Sequence, residues 1–205
     1  SALSRAKEQL VHSSFWGGDL EAFIGQASAR GLFKRKLFVF TVGETVAYRL
    51  GKNFPEGIIV GTRGPYGMYV VDNPSPLNQW FQKEYRKAYG SPPAQPSYQY
   101  AQGFLGAKYA YDKAAKKAGK FPTTDQVIAA LTGATFPSFV GNVTMGLGKG
   151  HQGLTDDYWG VTVWDKKRNE MVVKDVVKFS HKCVMPPAGV KGVDWIKGGM
   201  KGAKC

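Results

Sequence analysis

Ser13-Ser14-Phe15-Trp16-Gly17-Gly18-Asp19-Leu20, continuing into Glu21-Ala22-Phe23-Ile24-Gly25-Gln26-Ala27, decides how the rest of the chain is read. Leu10 and Val11 open an apolar run that ends at Phe15 and Trp16, the pattern of a short buried strand over residues 10–15. Gly17 and Gly18 predict a tight turn. Asp19 then caps a helix over residues 19–30, whose apolar positions Leu20, Phe23, Ile24 and Ala27 recur at helical spacing. Gly31 stops that helix. In an open α/β sheet such a corner matters, because ligands gather at the carboxyl ends of strands, against free helix N–H groups. Taken alone, the stretch reads equally well as an ordinary strand–turn–helix corner with Trp16 in the core.

The chain has 205 residues, enough for one or two domains. No apolar run approaches the length of a membrane span. The opening Ser1-Ala2-Leu3-Ser4-Arg5-Ala6-Lys7 is not a signal peptide, which fits a cytosolic protein or the mature part of an exported one. A net charge of +13 suits an anionic partner of some kind. The basic residues are scattered, however, with short clusters only at Lys34-Arg35-Lys36, Lys116-Lys117 and Lys166-Lys167-Arg168. No nucleic-acid module or stacking platform accompanies them, and a solvated basic surface is the expectation, with no nucleic-acid partner. Cys183 and Cys205 lie in a tail rich in Gly, Lys and Pro. They are too few for a zinc site, and a disulfide pinning the tail is expected if the protein is exported.

Strand and helix alternate through the first third of the chain. The end of a helix over residues 1–9 leads into the opening corner. A strand follows at 36–42. A short helix runs from Gly43-Glu44-Thr45 through Tyr48 and Leu50 to a stop at Gly51, and the next strand is at 58–62. This order argues for a parallel sheet flanked by helices. Residues 63–76 are turn-rich and read as a connector. Helices are expected at 77–88, at 97–118 and after Phe121-Pro122-Thr123-Thr124, the last with Val127, Ile128 and Leu131 on its apolar face. Ala101, Gly103, Gly106, Ala107 and Ala110 would let the long helix pack closely. Beyond Gly133 the pattern turns to β: a strand at 142–145, a loop at 148–153, and a hairpin of 158–164 with 171–179. Residues 180–205 read as an extended tail with at most a turn of helix near Trp195.

Little supports catalysis. His12, His151 and His181 are far apart, and no metalloprotease helix, nucleophile elbow or phosphate-binding loop is present. Asp19 and Glu44 both follow strands. They suit an acid/base pair or, equally, an amine-binding site. No catalytic residue, metal ligand or cofactor is assigned.

Read together, these segments resemble the solute-binding proteins of ABC importers of the branched-chain amino acid type, the type I periplasmic binding protein fold. The resemblance is carried by residues 13–27 with Arg30-Gly31-Leu32, by Pro55-Glu56-Gly57, and by Asn78-Gln79-Trp80-Phe81 through Tyr85, Tyr89-Gly90 and Pro92-Pro93. Phe104-Leu105-Gly106-Ala107, Gly119, Leu131 and Phe139 into Gly141 complete it, over most of residues 1–165. It implies two α/β lobes that close over a ligand about a hinge, with this chain as the later portion only. Residues 1–75 would be second-lobe α/β structure, and 76–135 helices that normally pack on the first lobe. Residues 136–179 would be a β-rich return to the second lobe, and 180–205 an extended tail. Uncovered helices would leave room for self-association.

The resemblance also implies a ligand site. Trp16 takes the place of the family's strand-end aromatic, and Glu44 that of a carboxylate that binds the ligand's ammonium. Ser14, Gly17 and Asp19 share the corner, and Tyr98 or Tyr100 would reach the cleft from the long helix. The implied ligand is a small amino acid or a related aromatic or aliphatic carboxylate. The implied partners are ABC permease subunits, and the implied place is the periplasm or another extracytoplasmic compartment. A sensory ligand-binding domain of the same fold stands as an alternative, as does a small basic α/β enzyme or nucleic-acid-binding domain.

Overall fold

The computed structural model describes residues 2–147 and 149–205. Gly148, the first residue of the expected loop, and Ser1, counted in the opening helix, lie outside the described residues. A single turn, α1 (Ala2–Arg5), precedes β1 (Leu10–Ser13). Then come α2 (Gly17–Ala29), β2 (Leu37–Phe40), α3 (Glu44–Leu50) and β3 (Ile59–Thr62). The three strands run parallel, with Leu10 beside Leu37 and Val39 beside Ile59. Each helix returns the chain to start the next strand in the same direction, as βαβ units require. The face that the helices cover is the core: Leu20 and Ile24 from α2 and Val46 from α3 bury against Phe38, Phe40 and Val60.

Two details of the opening corner differ from expectation. β1 ends at Ser13 and alternates between exposed and half-buried, and Phe15 and Trp16 emerge into solvent rather than ending a buried strand. As an edge strand with a helix on one face only, it has no second apolar face to bury. The helix also starts earlier. Gly17, at φ +55°, already begins it, so Asp19 sits inside the first turn and Trp16 occupies the N-cap without a side-chain cap bond. There the carboxylate complements the helix dipole rather than capping.

After β3 the chain leaves the sheet through a buried 3₁₀ turn at Gly67–Tyr69 and builds α4 (Pro76–Tyr89), α5 (Gln95–Ala118) and α6 (Thr124–Leu131). Gly90 and Gly119, both left-handed, end α4 and α5. Thr123 and Gln126 form a capping box at the start of α6. A small antiparallel sheet follows: β4 (Thr135–Pro137), β5 (Asn142–Gly146) and β6 (Gln152–Leu154), in that order. Thus part of the expected 148–153 loop is a strand. Gly106 of α5 lies under Phe136 of β4, where a Cβ would come within 2.9 Å of the ring. Ala110 and Ala114 continue that buried face, whereas Gly103 and Ala107 turn to solvent.

The chain rejoins the main sheet as the expected hairpin, β7 (Asp157–Asp165) and β8 (Glu170–Phe179). β7 pairs antiparallel to β3, giving the order β1-β2-β3-β7-β8, in which β7 alone runs against the rest. Thr162, fully buried, seals this junction: its hydroxyl donates to the Pro55 carbonyl (2.9 Å) and accepts from the Ile58 N–H (3.0 Å).

The tail is more structured than its composition predicts. It holds α7 (His181–Val184) and α8 (Gly192–Lys197), and Cys183 and Cys205 are joined by a disulfide. Trp195 is buried, and its indole N–H donates to the Lys201 carbonyl (2.9 Å). Asp156 anchors the tail's start, accepting from the His181 backbone N–H (2.8 Å) and standing 3.4 Å from the Lys178 ammonium. Burial raises the Asp156 pKa, but these contacts outweigh it and hold the carboxyl below its ordinary value. Closing a loop of 22 residues restricts the unfolded tail by an amount worth about 3 kcal/mol. Reduction is therefore expected to speed trypsin cleavage at Lys197 and Lys201 by at least about tenfold, with residues 10–165 staying protected, as read by mass spectrometry of the digest.

Candidate functional site

The carboxyl ends of β1, β2 and β3 form one rim. The β1 end is built by short local bonds. The Phe15 N–H donates to Ser13 Oγ (3.1 Å), and Thr41, just past β2, donates its N–H to the Ser13 carbonyl (3.1 Å). Phe15 leans edge-on against Phe23 of α2, their centroids 5.9 Å apart. These contacts fix the backbone leading into Trp16, a residue 74 % exposed. Ser14 and Asp19 are exposed beside it, and Gly17 carries the turn into α2. Ser14, Trp16, Gly17 and Asp19 therefore do share a corner. Arg63, exposed just past β3, stands on the same edge of the sheet, and its charge acts on Asp157. Burial raises the Asp157 carboxyl pKa, and Arg63 partly offsets the rise.

Glu44 occupies a different environment. It is 7 % exposed, and its carboxylate is already engaged. Oε1 accepts from the Met68 N–H (2.5 Å) and the Tyr48 hydroxyl (3.0 Å), and Oε2 accepts from the Gln95 N–H (2.6 Å). Met68 belongs to the segment by which the chain leaves the sheet, and Gln95 opens α5. Glu44 thus ties the start of α3 to both. In this structure the carboxylate expected to bind an ammonium is occupied by two backbone amides and the Tyr48 hydroxyl. Gly67 makes the approach possible, since it sits at φ +51° and a Cβ there would overlap the carboxylate. Burial raises the Glu44 pKa, against the lowering effect of its three donors. Burial, followed by the charge of Glu44, also pushes the hydroxyls of Tyr48 and Tyr69 well above their ordinary range.

The two tyrosines of α5 separate. Tyr98 is fully buried, stacked on Tyr66 (5.6 Å) and donating to Asn78 Oδ1 (2.7 Å), so it cannot reach a ligand. Tyr100 is 78 % exposed. Around Tyr98 runs a polar seam that the sequence reading passed over. Thr62 donates to Gln95 Oε1 (3.0 Å), and Tyr66 and Ser138 both donate to Gln102 Oε1 (3.1 and 2.9 Å). The Arg63-Gly64-Pro65-Tyr66-Gly67 turn held the one available signal, a tight Gly-bracketed path that only a buried partner explains. Among the described residues, no group of three or more His, Cys, Asp or Glu is placed to hold a metal ion, and no helix is long and apolar enough to cross a membrane.

The profile of the family described as periplasmic binding protein matches residues 1–168. Among solved structures, a solute-binding protein of an ABC transporter from Rhodopseudomonas palustris BisB5, in complex with 3,4-dihydroxybenzoic acid, superposes with TM-score 0.67 at 21 % identity. It aligns with 88 % of this chain and 48 % of its own. An amino acid ABC transporter substrate-binding protein from Pseudomonas fluorescens Pf-5 gives TM-score 0.66 at 19 % identity, over 93 % of this chain and 49 % of its own. A leucine-binding protein from Thermotoga maritima gives TM-score 0.60 at 15 % identity, over 86 % and 47 %. The chain thus spans about half the length of these structures, and the likeness is one of fold. No curated protein matches the sequence.

Two outcomes test the Glu44 arrangement. Gly67→Ala is expected to lower unfolding stability by about 3 kcal/mol through strain and overlap, measured by urea denaturation. The Glu44 pKa is raised in the folded state, so folding takes up a proton there. Its contribution is full below the ordinary value of 4.5 and falls as pH rises through the folded value. The stability difference between wild type and Glu44→Gln is therefore expected to shift against wild type from pH 4.5 upward, read from melting temperatures across pH.

Proposed function

The chain belongs to the periplasmic binding protein family, and we propose that it forms one wall of a two-lobe ligand cleft in the solute-binding component of an ABC importer. The observation that carries this is Trp16. A tryptophan 74 % exposed, on a backbone held by fixed bonds at the carboxyl end of a parallel strand, is a large apolar face presented for a partner. The first amides of α2, at Gly17 and Gly18, and the Arg63 guanidinium favour a negative group at the same rim. The ligand class proposed is a planar carboxylate, stacked on Trp16 with its anionic end toward those donors. An amino acid is the second reading. Glu44 is engaged, so the counter-charge for its ammonium on this wall would be Asp19, exposed beside Trp16. The relatives solved with 3,4-dihydroxybenzoic acid and 4-hydroxybenzoate support the first reading, and those described as amino acid and leucine-binding proteins support the second.

On this reading residues 1–75 are second-lobe structure and 76–135 pack against a first lobe. Residues 136–179 lead back to the second lobe, and 180–205 are an added tail. The exposed aromatics Tyr100, Phe104 and Tyr111, spaced along one face of α5, with Trp80 and Phe121, are the surface the first lobe would cover. Left uncovered, that surface would drive self-association. The proposed partners are permease subunits and the proposed location is extracytoplasmic. The family binds solutes rather than transforming them, and no catalytic role is assigned.

Calorimetric titration of the intact protein with benzoate, 4-hydroxybenzoate and leucine tests the proposal. The aromatic acids are expected to bind, and Trp16→Ala to weaken them by about tenfold without lowering the melting temperature. Leucine binding that depends on Glu44 while both benzoates fail would overturn the proposed ligand class.

A further inference from the structure

Residues 180–205 fall outside the family match, which ends at residue 168, and the cleft reading gives them no task. The segment is nevertheless built. The Cys183–Cys205 disulfide closes it, the Lys204 N–H donates to the Lys182 carbonyl (3.0 Å), and Trp195 turns inward. What faces outward is apolar and basic together. Val190, Val193, Ile196 and Met200 are 43, 63, 63 and 50 % exposed. Ile196 and Met200 line one groove with Val177 and Phe179 of β8 and Trp159 of β7.

Lysines are spread through the same segment. Lys182, Lys191, Lys197, Lys201 and Lys204 are all exposed, and Asp194 is the tail's one acid. None of the five is ion-paired among the described residues. Val190, Ile196, Met200 and Ala203 are each followed directly by a lysine. The segment contains no Arg, Tyr, Asn or Gln, the side chains that give protein interfaces their directional anchors. A surface offering apolar area and positive charge without directional groups matches a partner that is fluid and negative. Apolar side chains enter the acyl boundary while lysines reach back to phosphate headgroups.

We propose that the disulfide-clasped tail, with the adjoining end of β8, is a docking surface for an anionic lipid bilayer. Its test needs no cleft ligand, so the two readings stand or fall separately.

The experiment is flotation of the intact, oxidised chain with phosphatidylcholine vesicles with and without phosphatidylglycerol. At low salt the phosphatidylglycerol vesicles are expected to carry at least about tenfold more protein, with most of it released at high salt. The double variants Ile196→Asp/Met200→Asp and Lys197→Glu/Lys201→Glu are each expected to cut recruitment about tenfold, with unchanged circular dichroism. All four positions are exposed, so neither pair removes core. Equal recruitment to both vesicle types, or none to either, overturns the proposal. So does recruitment indifferent to both variants, or capture of soluble polyglutamate without capture of vesicles, which would indicate an acidic polypeptide partner instead.

Discussion

One carboxylate holds this fold's separate parts in register. Glu44 stands where α3 begins, and its two oxygens reach the backbone at Met68 and Gln95. Those amides belong to the path out of the sheet and to the first turn of the longest helix, neither of which is anchored there by a strand. A buried carboxylate left without donors costs far more than any single hydrogen bond returns. The arrangement therefore stands only as a whole, with Gly67 allowing close approach, the α5 amide pointing inward and Tyr48 completing the set. The Tyr98–Asn78 bond and the stacked ring of Tyr66 lie next to it. These polar contacts run beside one apolar cluster that continues from the α2–α3 side of the sheet through Met68 and Tyr69 to Tyr98 and Phe139.

Where a residue's role is set by its neighbours in sequence, it is legible from sequence. Leu20, Phe23, Ile24 and Ala27 mark their helix by spacing alone. The 158–164 and 171–179 runs announce a hairpin, because each half alternates and the turn between is short. The β4 and β6 strands, three residues each, are too short to show any period. Glu44 shows the stronger limit. Its partners lie 24 and 51 residues along the chain, and no local pattern distinguishes a carboxylate held by distant amides from one waiting for a ligand. Tyr98 is legible only as a helix residue for the same reason, since the space under the 63–70 turn draws it inward against Tyr66 and Asn78. The tail looked featureless by composition because a disulfide and one tryptophan order it, and neither leaves a periodic trace.

The molecule buries one side of its sheet well and leaves other apolar surface open. Leu10 and Leu37, register partners on β1 and β2, are 52 and 45 % exposed, on the side the helices do not cover. β1 also ends the sheet, with a row of backbone donors and acceptors on its outer side. With the aromatic stripe on α5, these features leave apolar area and an unpaired strand edge facing solvent.

The pairing of β3 with β7 sets an order for folding. Ile58 and Thr162 meet across 104 residues of chain, whereas β1, β2 and β3 assemble through short helical crossovers and β7 with β8 through a tight turn. Local units of that kind form quickly, while closing the long loop between them carries the larger entropic barrier. During synthesis, β3 would emerge and pair with β2 long before its other neighbour exists. Its free edge is then open to any extended segment that passes. Gly61 is bare until Trp159 lies across it, and that last step both completes the sheet and closes the edge to strays.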